Sequence, residues 1–379
     1  QTELCEGACP YMKQGRPPVP IGRLEAFAAD WALRHGVDGT GARALPKATG
    51  RRAAVVGAGP AGLAVAAGLA RKGHAVTLFD ARPDGGGLLR FGIPGFKLDP
   101  AHARRHTDAV RRLGVRCRFG TRLGADVTLE ELVDEGFEAA FLGIGAGRGR
   151  PLDVEGADLA GVVPATPFLL AGGPDAAALP DAWDGATEPL GRVAVIGGGD
   201  TAMDCLRTAV RLGAHQAVCW YRRTESEMPG NPRDRALARE EGARFEWLAA
   251  PVRLHGDAGG RVRAMTLVDM RLGEPDASGR RRPEPVAGSE RIVDVDTVVL
   301  ALGYLPDAGL VGRLAGVETE PDGRIRIDPA TGATSRAGVY AGGDAVLGPA
   351  LVVDALAHAR RAVESMHRFL AGGGSLEPA

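Results

Sequence analysis

Two copies of one pattern, 140 residues apart, constrain the fold of this chain more than any other feature of its sequence. In each copy an apolar run leads into a glycine cluster and then into an apolar stretch with helical spacing. The first copy begins Ala54-Val55-Val56-Gly57-Ala58-Gly59, and the second begins Ala194-Val195-Ile196-Gly197-Gly198-Gly199. A buried strand, a tight turn and a helix in this order open a βαβ unit. The sequence therefore predicts an α/β chain with two Rossmann-like dinucleotide-binding domains.

Apolar periodicity predicts the elements of each copy. A strand, a helix and a second strand are expected over residues 53–56, 61–72 and 75–79, and again over 192–196, 201–212 and 217–221. Strands over 261–270 and 291–301 flank a polar loop over 274–288, as in a hairpin or meander. Residues 338–340 are typical of a strand and 350–370 of a terminal helix. An amphipathic helix from residue 21 and a polar linker over 36–50 complete a short helical N-terminal segment.

Charge and composition exclude several classes of partner. The chain has 46 basic and 47 acidic residues, a net charge of −1, which argues against nucleic acid or an anionic membrane surface. An uncharged stretch over residues 53–70 has the length of a short membrane span, but its glycines and Pro60 favour a strand and a turn. We expect no nucleic-acid and no membrane partner.

Cysteine usage bears on the compartment. The five cysteines have no regular spacing, so a disulfide-stapled secreted domain is not expected and a cytoplasmic location is predicted. The chain begins with Gln1 rather than Met, which leaves open whether further sequence lies upstream.

The first glycine turn has the spacing of a pyrophosphate-binding loop. Gly57 permits the tight turn, Gly59 lets the backbone approach a phosphate, and Gly62 lets the helix pack closely on the strand. Asp80 ends the next strand, 23 residues after Gly57, where an acid accepts hydrogen bonds from an adenosine ribose. The alternative is a tight strand–helix turn without a ligand. The candidate binding residues of this turn are Gly57, Ala58, Gly59, Pro60, Ala61 and Gly62.

The second glycine turn differs where its second strand ends. It continues through Gly199, Asp200 and Thr201, and its second strand ends in Tyr221-Arg222-Arg223 instead of an acid. An acid would repel the 2′-phosphate of NADP, whereas guanidinium groups can bind it with paired hydrogen bonds. This site is therefore predicted to bind NADPH. A solvated arginine pair after a strand is the alternative.

A third motif, Ala341-Gly342-Gly343-Asp344, precedes the terminal helix. Asp344 could hydrogen-bond the ribityl hydroxyls of a flavin, and the helix N-terminus near Ala350 and Leu351 could support negative charge on a reduced flavin. Gly-Gly-Asp also makes ordinary turns. The position of the motif, well after both glycine turns, is what makes it informative.

With these three motifs in this order, the chain resembles the small (beta) subunit of bacterial glutamate synthase and its relatives, which include the flavin/NADPH portion of dihydropyrimidine dehydrogenase. Further matching pieces are Gly86-Gly87-Leu88-Leu89, Gly92-Ile93-Pro94, Lys97-Leu98 and Glu227-Met228-Pro229. The resemblance implies a glutathione-reductase-like arrangement, in which an NADPH-binding domain over 151–304 interrupts an FAD-binding domain over 50–150 and 305–379. Residues 1–49 would be the remnant of an N-terminal iron–sulfur helical domain and a linker.

The resemblance also assigns binding residues. It places the FAD pyrophosphate at the first turn, its ribose at Asp80, and the flavin near Gly87, Leu88, Gly343 and Asp344. Val127 would lie near the adenine, and Ala301 and Gly303 at the crossing back to the FAD-binding domain. NADPH would bind at Gly199, Asp200 and Thr201 with Arg222 and Arg223.

Cys5 and Cys9, followed by Pro10, resemble the last two ligands of a four-cysteine iron–sulfur run. Two thiolates cannot hold a conventional cluster, so a [4Fe–4S] cluster is expected only if further cysteines lie upstream. Two free structural cysteines are the alternative.

These observations predict an enzyme that oxidises NADPH and passes electrons through FAD to an iron–sulfur partner or a large catalytic subunit. Hydride transfer between the two cofactors requires no acid–base residue, so no catalytic side chain is named. A non-catalytic FAD-bound scaffold subunit and a flavin monooxygenase are the alternatives. Disulfide reduction is disfavoured because no Cys-x-x-Cys pair is present.

Overall fold

The structure, a computed structural model, describes residues 3–37, 46–176, 179, 182–187, 189–275 and 279–376. The chain divides into two compact units, Gln1–Pro46 and Lys47–Ala379. Most of the linker predicted over 36–50 falls outside the described residues. The predicted domain boundaries at 49, 150 and 304 stay predictions.

The smaller unit is helical. It contains α1 (Glu3–Gly7), a 3-10 turn (Met12–Gln14) and α2 (Ile21–Arg34). Helix α2 begins directly after Pro20. Proline has no backbone N–H and is tolerated only at the start of a helix, so a helix is expected to begin near it. Its apolar residues recur at three- and four-residue spacing, which confirms the predicted amphipathic helix.

A five-stranded parallel sheet organises one half of the larger unit, here called the first half, which takes residues from both ends of that unit's sequence. Its order is β16-β4-β1-β2-β3, with β1 at the centre. Strands β1 and β4 are almost wholly buried, as expected of parallel strands covered on both faces. The strands are β1 (Arg52–Val56), β2 (Ala75–Asp80), β3 (Arg116–Phe119), β4 (Ala139–Leu142) and β16 (Val339–Ala341).

Helices cover both faces of this first sheet. On one face the Ala-rich α3 packs against the terminal α12, and Gly68 brings α3 close to Val363 of α12. On the other face Leu129, Leu132 and Leu314 close the core. The helices of this half are α3 (Pro60–Ala70), α4 (Leu88–Phe91), α5 (Pro100–Arg112), α6 (Leu129–Asp134), α10 (Ala308–Val311), α11 (Asp344–Leu347) and α12 (Val352–Ala371).

A second five-stranded parallel sheet, ordered β6-β14-β7-β8-β9, repeats this plan. Its strands are β6 (Val162–Pro164), β7 (Arg192–Ile196), β8 (Gln216–Tyr221), β9 (Arg244–Trp247) and β14 (Thr297–Leu300). The helices on it are α7 (Ala165–Ala171), α8 (Asp200–Arg211) and α9 (Pro232–Glu240), with 3-10 turns at Asp184–Thr187 and Glu225–Glu227. The two sheets confirm the predicted fold class.

An antiparallel sheet packs beside the second parallel sheet and corrects two predictions. It contains β10 (Ala249–Gly256), β11 (Val262–Pro275), β12 (Arg281–Pro285) and β13 (Arg291–Asp294). The polar loop predicted over 274–288 therefore contains an edge strand, β12. The strand predicted over 291–301 is two strands in different sheets, because the chain leaves β13 at Asp294 and enters β14 at Thr297.

Two short strands, β5 (Arg148–Gly149) and β15 (Tyr304–Leu305), pair antiparallel where the chain passes between the two halves. Among the residues that the structure describes, no helix combines the length and the apolar character that a membrane crossing requires.

Candidate active site

The first glycine turn, residues 57–62, is held by backbone contacts that only glycine permits. Gly57 has a φ of 99°, and a Cβ atom there would overlap the carbonyl oxygen of Gly143 at the end of β4. A Cβ on Gly62 would overlap the carbonyl oxygen of Gly57. These contacts pin the start of α3 against the carboxyl end of the sheet, as the sequence predicted for a tight turn and close helix packing.

Gly59, between them, faces open space. It caps α3 with an extended backbone (φ −75°, ψ −176°), and a Cβ there would meet no atom within 4 Å. No side chain caps this helix, so the first N–H groups of an 11-residue helix point toward the open position. An anion fits such a helix N-terminus, and this geometry suits the pyrophosphate of FAD.

Asp80 ties the end of β2 to the turn. Its Oδ2 accepts a hydrogen bond of 2.6 Å from the N–H of Ala58, and its Oδ1 accepts one of 2.8 Å from the N–H of Arg82. Burial raises the pKa of the Asp80 carboxyl, while these two backbone donors act in the opposite direction. The acid therefore lies beside the turn, and its contact with a ribose stays a prediction.

Two distant glycines meet the first turn. A Cβ on Gly87, the N-cap of α4, would lie 2.8 Å from Cα of Gly59. A Cβ on Gly343 would lie 3.1 Å from Cβ of Ala61. The structure thus brings four predicted binding elements together, namely turn 57–62, Asp80, Gly87 and Gly343. We name this assembly the first nucleotide site.

Leu88 and Asp344 extend this site. Leu88 begins α4 directly after Gly87 and is partly exposed. Asp344 begins α11, and its Oδ1 accepts a hydrogen bond of 3.3 Å from the N–H of Ala350. Burial raises the pKa of the Asp344 carboxyl. Leu351 is the N-cap of the 20-residue α12, so a second long helix begins beside Asp344.

Val127, predicted to lie near the adenine, does not present its side chain at the surface. Its side chain is buried in the core with Val56, Phe79 and Leu123, and its carbonyl accepts a hydrogen bond of 2.7 Å from the N–H of Gly124. Any contact with an adenine ring would have to use the backbone of Val127. Its predicted role stays a prediction.

The second glycine turn, residues 197–202, repeats the first. Gly197 has a φ of 138°, and a Cβ there would overlap the carbonyl oxygen of Ala301 at the end of β14. Gly199 caps the 12-residue α8 with an extended backbone and faces open space. Asp200 and Thr201 form the first turn of α8. This geometry also suits an anion at a helix N-terminus.

A loop over residues 222–231 closes on this turn. The N–H of Gly230 donates to the carbonyl of Gly198 at 2.9 Å, and the N–H of Asn231 donates to Oδ1 of Asp200 at 2.7 Å. The phenol of Tyr221 donates to the carbonyl of Glu227 at 3.0 Å. We name turn 197–202 with this loop the second nucleotide site.

The two arginines at the start of the loop lie in different environments. Arg222 is exposed, whereas Arg223 is 5% exposed and its Nε donates to the carbonyl of Arg281 at 2.7 Å. Arg222 is therefore open to solvent beside the turn, whereas Arg223 attaches β12 to the end of β8. The two predicted binding residues thus have different surroundings, and their roles in binding NADPH stay predictions.

Ala301 and Gly303 lie where the chain returns to the first half. The N–H of Ala301 donates to the carbonyl of Ile196 at 2.9 Å, and the carbonyl of Gly303 accepts from the N–H of Arg150 at 2.9 Å. Gly143 and Gly145 occupy the matching place after β4 and were missed in the sequence. The apolar run Ala139–Leu142 followed by Gly-x-Gly was the sequence signal for these two glycines.

The cysteines divide into two groups. Cys5 is exposed and Cys9 partly so. Within the described part of the chain, no three His, Cys, Asp or Glu side chains are arranged to share a metal ion. The two thiols stay a prediction as cluster ligands. Cys205 and Cys219 are buried, and burial raises the pKa of Cys219 to about 12 and that of Cys205 well above its usual value.

Lys97 lies in the Lys97-Leu98 piece of the family resemblance, which gives it no role of its own. The structure places the Lys97 ammonium 2.9 Å from Asp204 on α8 and 2.7 Å from Asp234 on α9. Burial raises the pKa of the Asp204 carboxyl to about 6, although Lys97 opposes the shift. The available signal for Asp204 was an acid on the apolar face of an amphipathic helix, although its partner was not indicated.

Comparison with known proteins adds to this geometry. A family model for pyridine nucleotide-disulphide oxidoreductases matches residues 51–359. The chain belongs to this family. The match includes both glycine turns and the Gly-Gly-Asp motif, so it spans both nucleotide sites.

Curated relatives agree. The glutamate synthase [NADPH] small chain of Escherichia coli (strain K12) is 40% identical over 382 residues, covering 98% of this chain and 79% of the relative. The putative glutamate synthase small chain of Cereibacter sphaeroides is 39% identical, covering 98% and 89%. The putative oxidoreductase AegA of E. coli is 40% identical, and this chain spans 56% of its length.

Solved structures share the fold. FprA of Mycobacterium tuberculosis, in a complex with NADPH, has a TM-score of 0.68 at 20% identity, covering 86% of this chain and 85% of that one. Thioredoxin reductase of T. acidophilum has a TM-score of 0.63 at 19% identity, covering 85% and 99%. The comparisons confirm the predicted family resemblance, and at the level of the family they confirm an oxidoreductase that uses FAD and NADPH.

Proposed function

We propose that this chain is an electron-input unit, an FAD-dependent NADPH oxidoreductase whose acceptor is an iron–sulfur subunit or a large catalytic subunit, as in glutamate synthase. The observation that carries the proposal is the pairing of two anion-binding helix N-termini in one compact unit, each at the carboxyl end of its own parallel sheet. A protein with one nucleotide would need only one of them.

The residues of the first site have separate tasks in this proposal. Gly59 leaves room for the pyrophosphate against the first N–H groups of α3. Asp80 orients the turn and accepts from the ribose, and Gly87 and Gly343 let two backbone segments close around the bound group. Bound FAD supplies the chemistry of accepting a hydride and releasing electrons singly.

The residues of the second site select the donor. Gly199 leaves the corresponding room at α8, and Arg222 provides an exposed guanidinium for a 2′-phosphate. No acid takes its place at the end of β8, so NADPH is favoured over NADH. The protein contributes alignment and exclusion of water, and no proton transfer by a side chain is required.

The identity of the acceptor rests on the relatives. The curated names include glutamate synthase small chains, and an NADP(+)-dependent formate dehydrogenase subunit beta of Moorella thermoacetica that is 38% identical over 365 residues. Cys5 and Cys9 are proposed cluster ligands only with cysteines upstream. The cytoplasmic location stays a prediction, consistent with five free cysteines.

Steady-state oxidation of NADPH with an artificial electron acceptor tests the proposal. The FAD-loaded protein should consume NADPH continuously, with NADH a poorer substrate. A protein that keeps its flavin but consumes no NADPH would instead be a scaffold subunit. Oxygen-dependent consumption coupled to hydroxylation of an added substrate would identify a monooxygenase and contradict the proposal.

A further inference from the structure

Residues 88–98, here called the joining segment, connect the two nucleotide sites through successive side chains. The segment starts at the first site, directly after Gly87. The guanidinium of Arg90 is buried and pairs with Asp84 in its own half and, at 3.2 Å, with Asp175 after α7. Phe91 packs in a small apolar cluster with Leu170 of α7. The first part of the segment therefore contacts the second half already.

Phe96 makes the next contact. Its ring lies beneath two guanidinium groups of α8, with the central carbons of Arg207 and Arg211 at 4.5 and 4.2 Å from the ring centroid. Both arginines are held by one carboxylate, Glu241, at 2.7 and 2.9 Å. Cation–π contacts of this kind are strengthened when the cation is kept in place and partly desolvated.

Lys97 follows with an ion pair to two helices. Its Nζ lies 2.9 Å from Oδ1 of Asp204 and 2.7 Å from Oδ2 of Asp234, and the two carboxylate side chains are only 10% and 15% exposed. Removing the cation would leave two neighbouring carboxylates unpaired in a poorly hydrated place. A buried charge without its partner is strongly unfavourable, so loss of the ammonium would weaken the attachment of the segment to α8 and α9.

The position of Asp204 gives this contact its consequence. Asp204 lies on α8 one helical turn beyond Asp200, and the N-terminus of the same helix forms the second nucleotide site. At its other end the joining segment follows directly on Gly87, which lies against Gly59 of the first site. Ten residues thus run from one site to the helix that forms the other.

We propose that Lys97 is a positioning residue that fixes helix α8, and with it the second nucleotide site, relative to the first. The inference rests on the proposed function, because its effect on the reaction requires two bound cofactors. Transfer between two bound rings depends steeply on their separation, and a misplacement of about 1 Å costs on the order of 100-fold in rate.

Three variants test the proposal. Lys97→Met removes the ammonium and keeps the length of the side chain, and Lys97→Arg keeps the charge. Lys72→Met is the matched control, since Lys72 pairs with Glu364 at 3.1 Å entirely within the first half. Each FAD-loaded protein is mixed with NADPH without oxygen, and flavin reduction is followed over a range of NADPH concentrations.

For Lys97→Met we expect the limiting rate of flavin reduction to fall about 10- to 100-fold, with FAD retained and the dissociation constant of NADPH changed less than about threefold. Lys97→Arg should recover most of the rate, and Lys72→Met should match the wild type. A Lys97→Met protein that reduces its flavin at the wild-type rate would overturn the proposal. So would a fall confined to NADPH affinity.

Hydrogen–deuterium exchange of the FAD-loaded proteins, without NADPH, gives a readout independent of activity. Lys97→Met should exchange faster than the wild type at residues 92–98 and at α9, and Lys72→Met should not. Unchanged exchange there would contradict the proposal even if the rate fell. Wild-type protein that does not reduce its flavin with NADPH would refute the proposed function. The exchange result would then still test whether Lys97 holds the joining segment to α8 and α9.

If Lys97→Met does not retain FAD, Asp234→Asn replaces it. This variant removes one of the two partners and leaves Lys97 with Asp204. We expect faster exchange in the same segments, and a limiting rate of flavin reduction that is about a third to a tenth of the wild-type rate. A folded Asp234→Asn protein with wild-type rate and exchange would overturn the proposal.

Discussion

The two glycine turns of this chain are built on the same backbone frame, and two differences between them bear on what they bind and how they pack: the residues at the end of the second strand and the third packing position of the turn. In both, the first glycine lies against the end of the neighbouring strand, at Gly143 in one and Ala301 in the other, and the next helix begins beyond an open glycine. The second strand of the first unit ends in Asp80, whereas that of the second unit ends in Tyr221 and is followed directly by Arg222. In the proposed function the shared frame receives a phosphate in each turn, and the residues at the strand ends select the nucleotide.

The third packing position is the other difference. Gly62 has no room for a Cβ, because the carbonyl oxygen of Gly57 lies there, whereas Ala202 is fully buried at the same place in the second turn. Helix α3 therefore approaches its turn more closely than α8 does. One motif thus allows two packing distances, and the glycine is obligatory only in the first.

The largest expected effects come from filling the open position of each turn. Gly59→Val should abolish FAD binding, and Gly199→Val should weaken NADPH binding by at least about 100-fold while FAD stays bound. Both positions have extended backbones that accept valine, so both proteins should fold. Flavin absorbance of the purified proteins and NADPH titration check this. A yellow Gly59→Val protein would refute the first site.

The packing difference predicts unequal effects of exchanging the two residues. Gly62→Ala should lower the free energy of unfolding by about 3 kcal/mol, since the backbone must shift. Ala202→Gly should lower it by about 1 kcal/mol, the cost of glycine within a helix. Denaturant unfolding measures both. Equal effects would mean that the two helices approach their turns alike.

Asp204, which has no counterpart in the first half's helix α3, predicts a pH dependence. Its carboxyl pKa of about 6 lies above the ordinary 3.8, so the folded protein binds this proton more strongly, and that contribution to stability is lost as pH rises through about 6. The stability of Asp204→Asn relative to the wild type should therefore increase between pH 4 and pH 7, by at most about 3 kcal/mol. Thermal unfolding across this range tests it; a pH-independent difference would contradict the raised pKa.

The smallest effect concerns the arginines. Arg222→Ala should raise the KM for NADPH about tenfold and leave the KM for NADH nearly unchanged, because only NADPH carries the 2′-phosphate. Arg223→Ala, at a buried residue, should instead lower stability without changing the preference between the two donors. Equal changes for both donors in Arg222→Ala would show that this residue does not read the 2′-phosphate.

The sequence was a good guide to this frame wherever an apolar run meets glycines. Strands β1, β2, β7 and β8 were predicted to within one residue at each end, because both their burial and their turns are local. Strand β12 was missed because Arg281–Pro285 is polar and contains two prolines, as an edge strand can. The division of 291–301 between two sheets depends on partners far away in the chain.

The sites show the same limit. Neighbouring residues at a strand end point to opposite sides, which accounts for the different environments of Arg222 and Arg223 and could have been anticipated. The contact of Lys97 with Asp204 joins residues 107 positions apart, and no local pattern indicates it. Side-chain partners across domains therefore required the structure.

Anaerobic titration of the FAD-loaded protein with NADPH tests most directly whether both sites are filled and work together. We predict that the flavin absorbance is lost after one equivalent of NADPH per chain, and that the same amount of NADH reduces it far more slowly. A flavin that stays oxidised beside bound NADPH, or a chain that binds one of the two nucleotides only, would contradict the account.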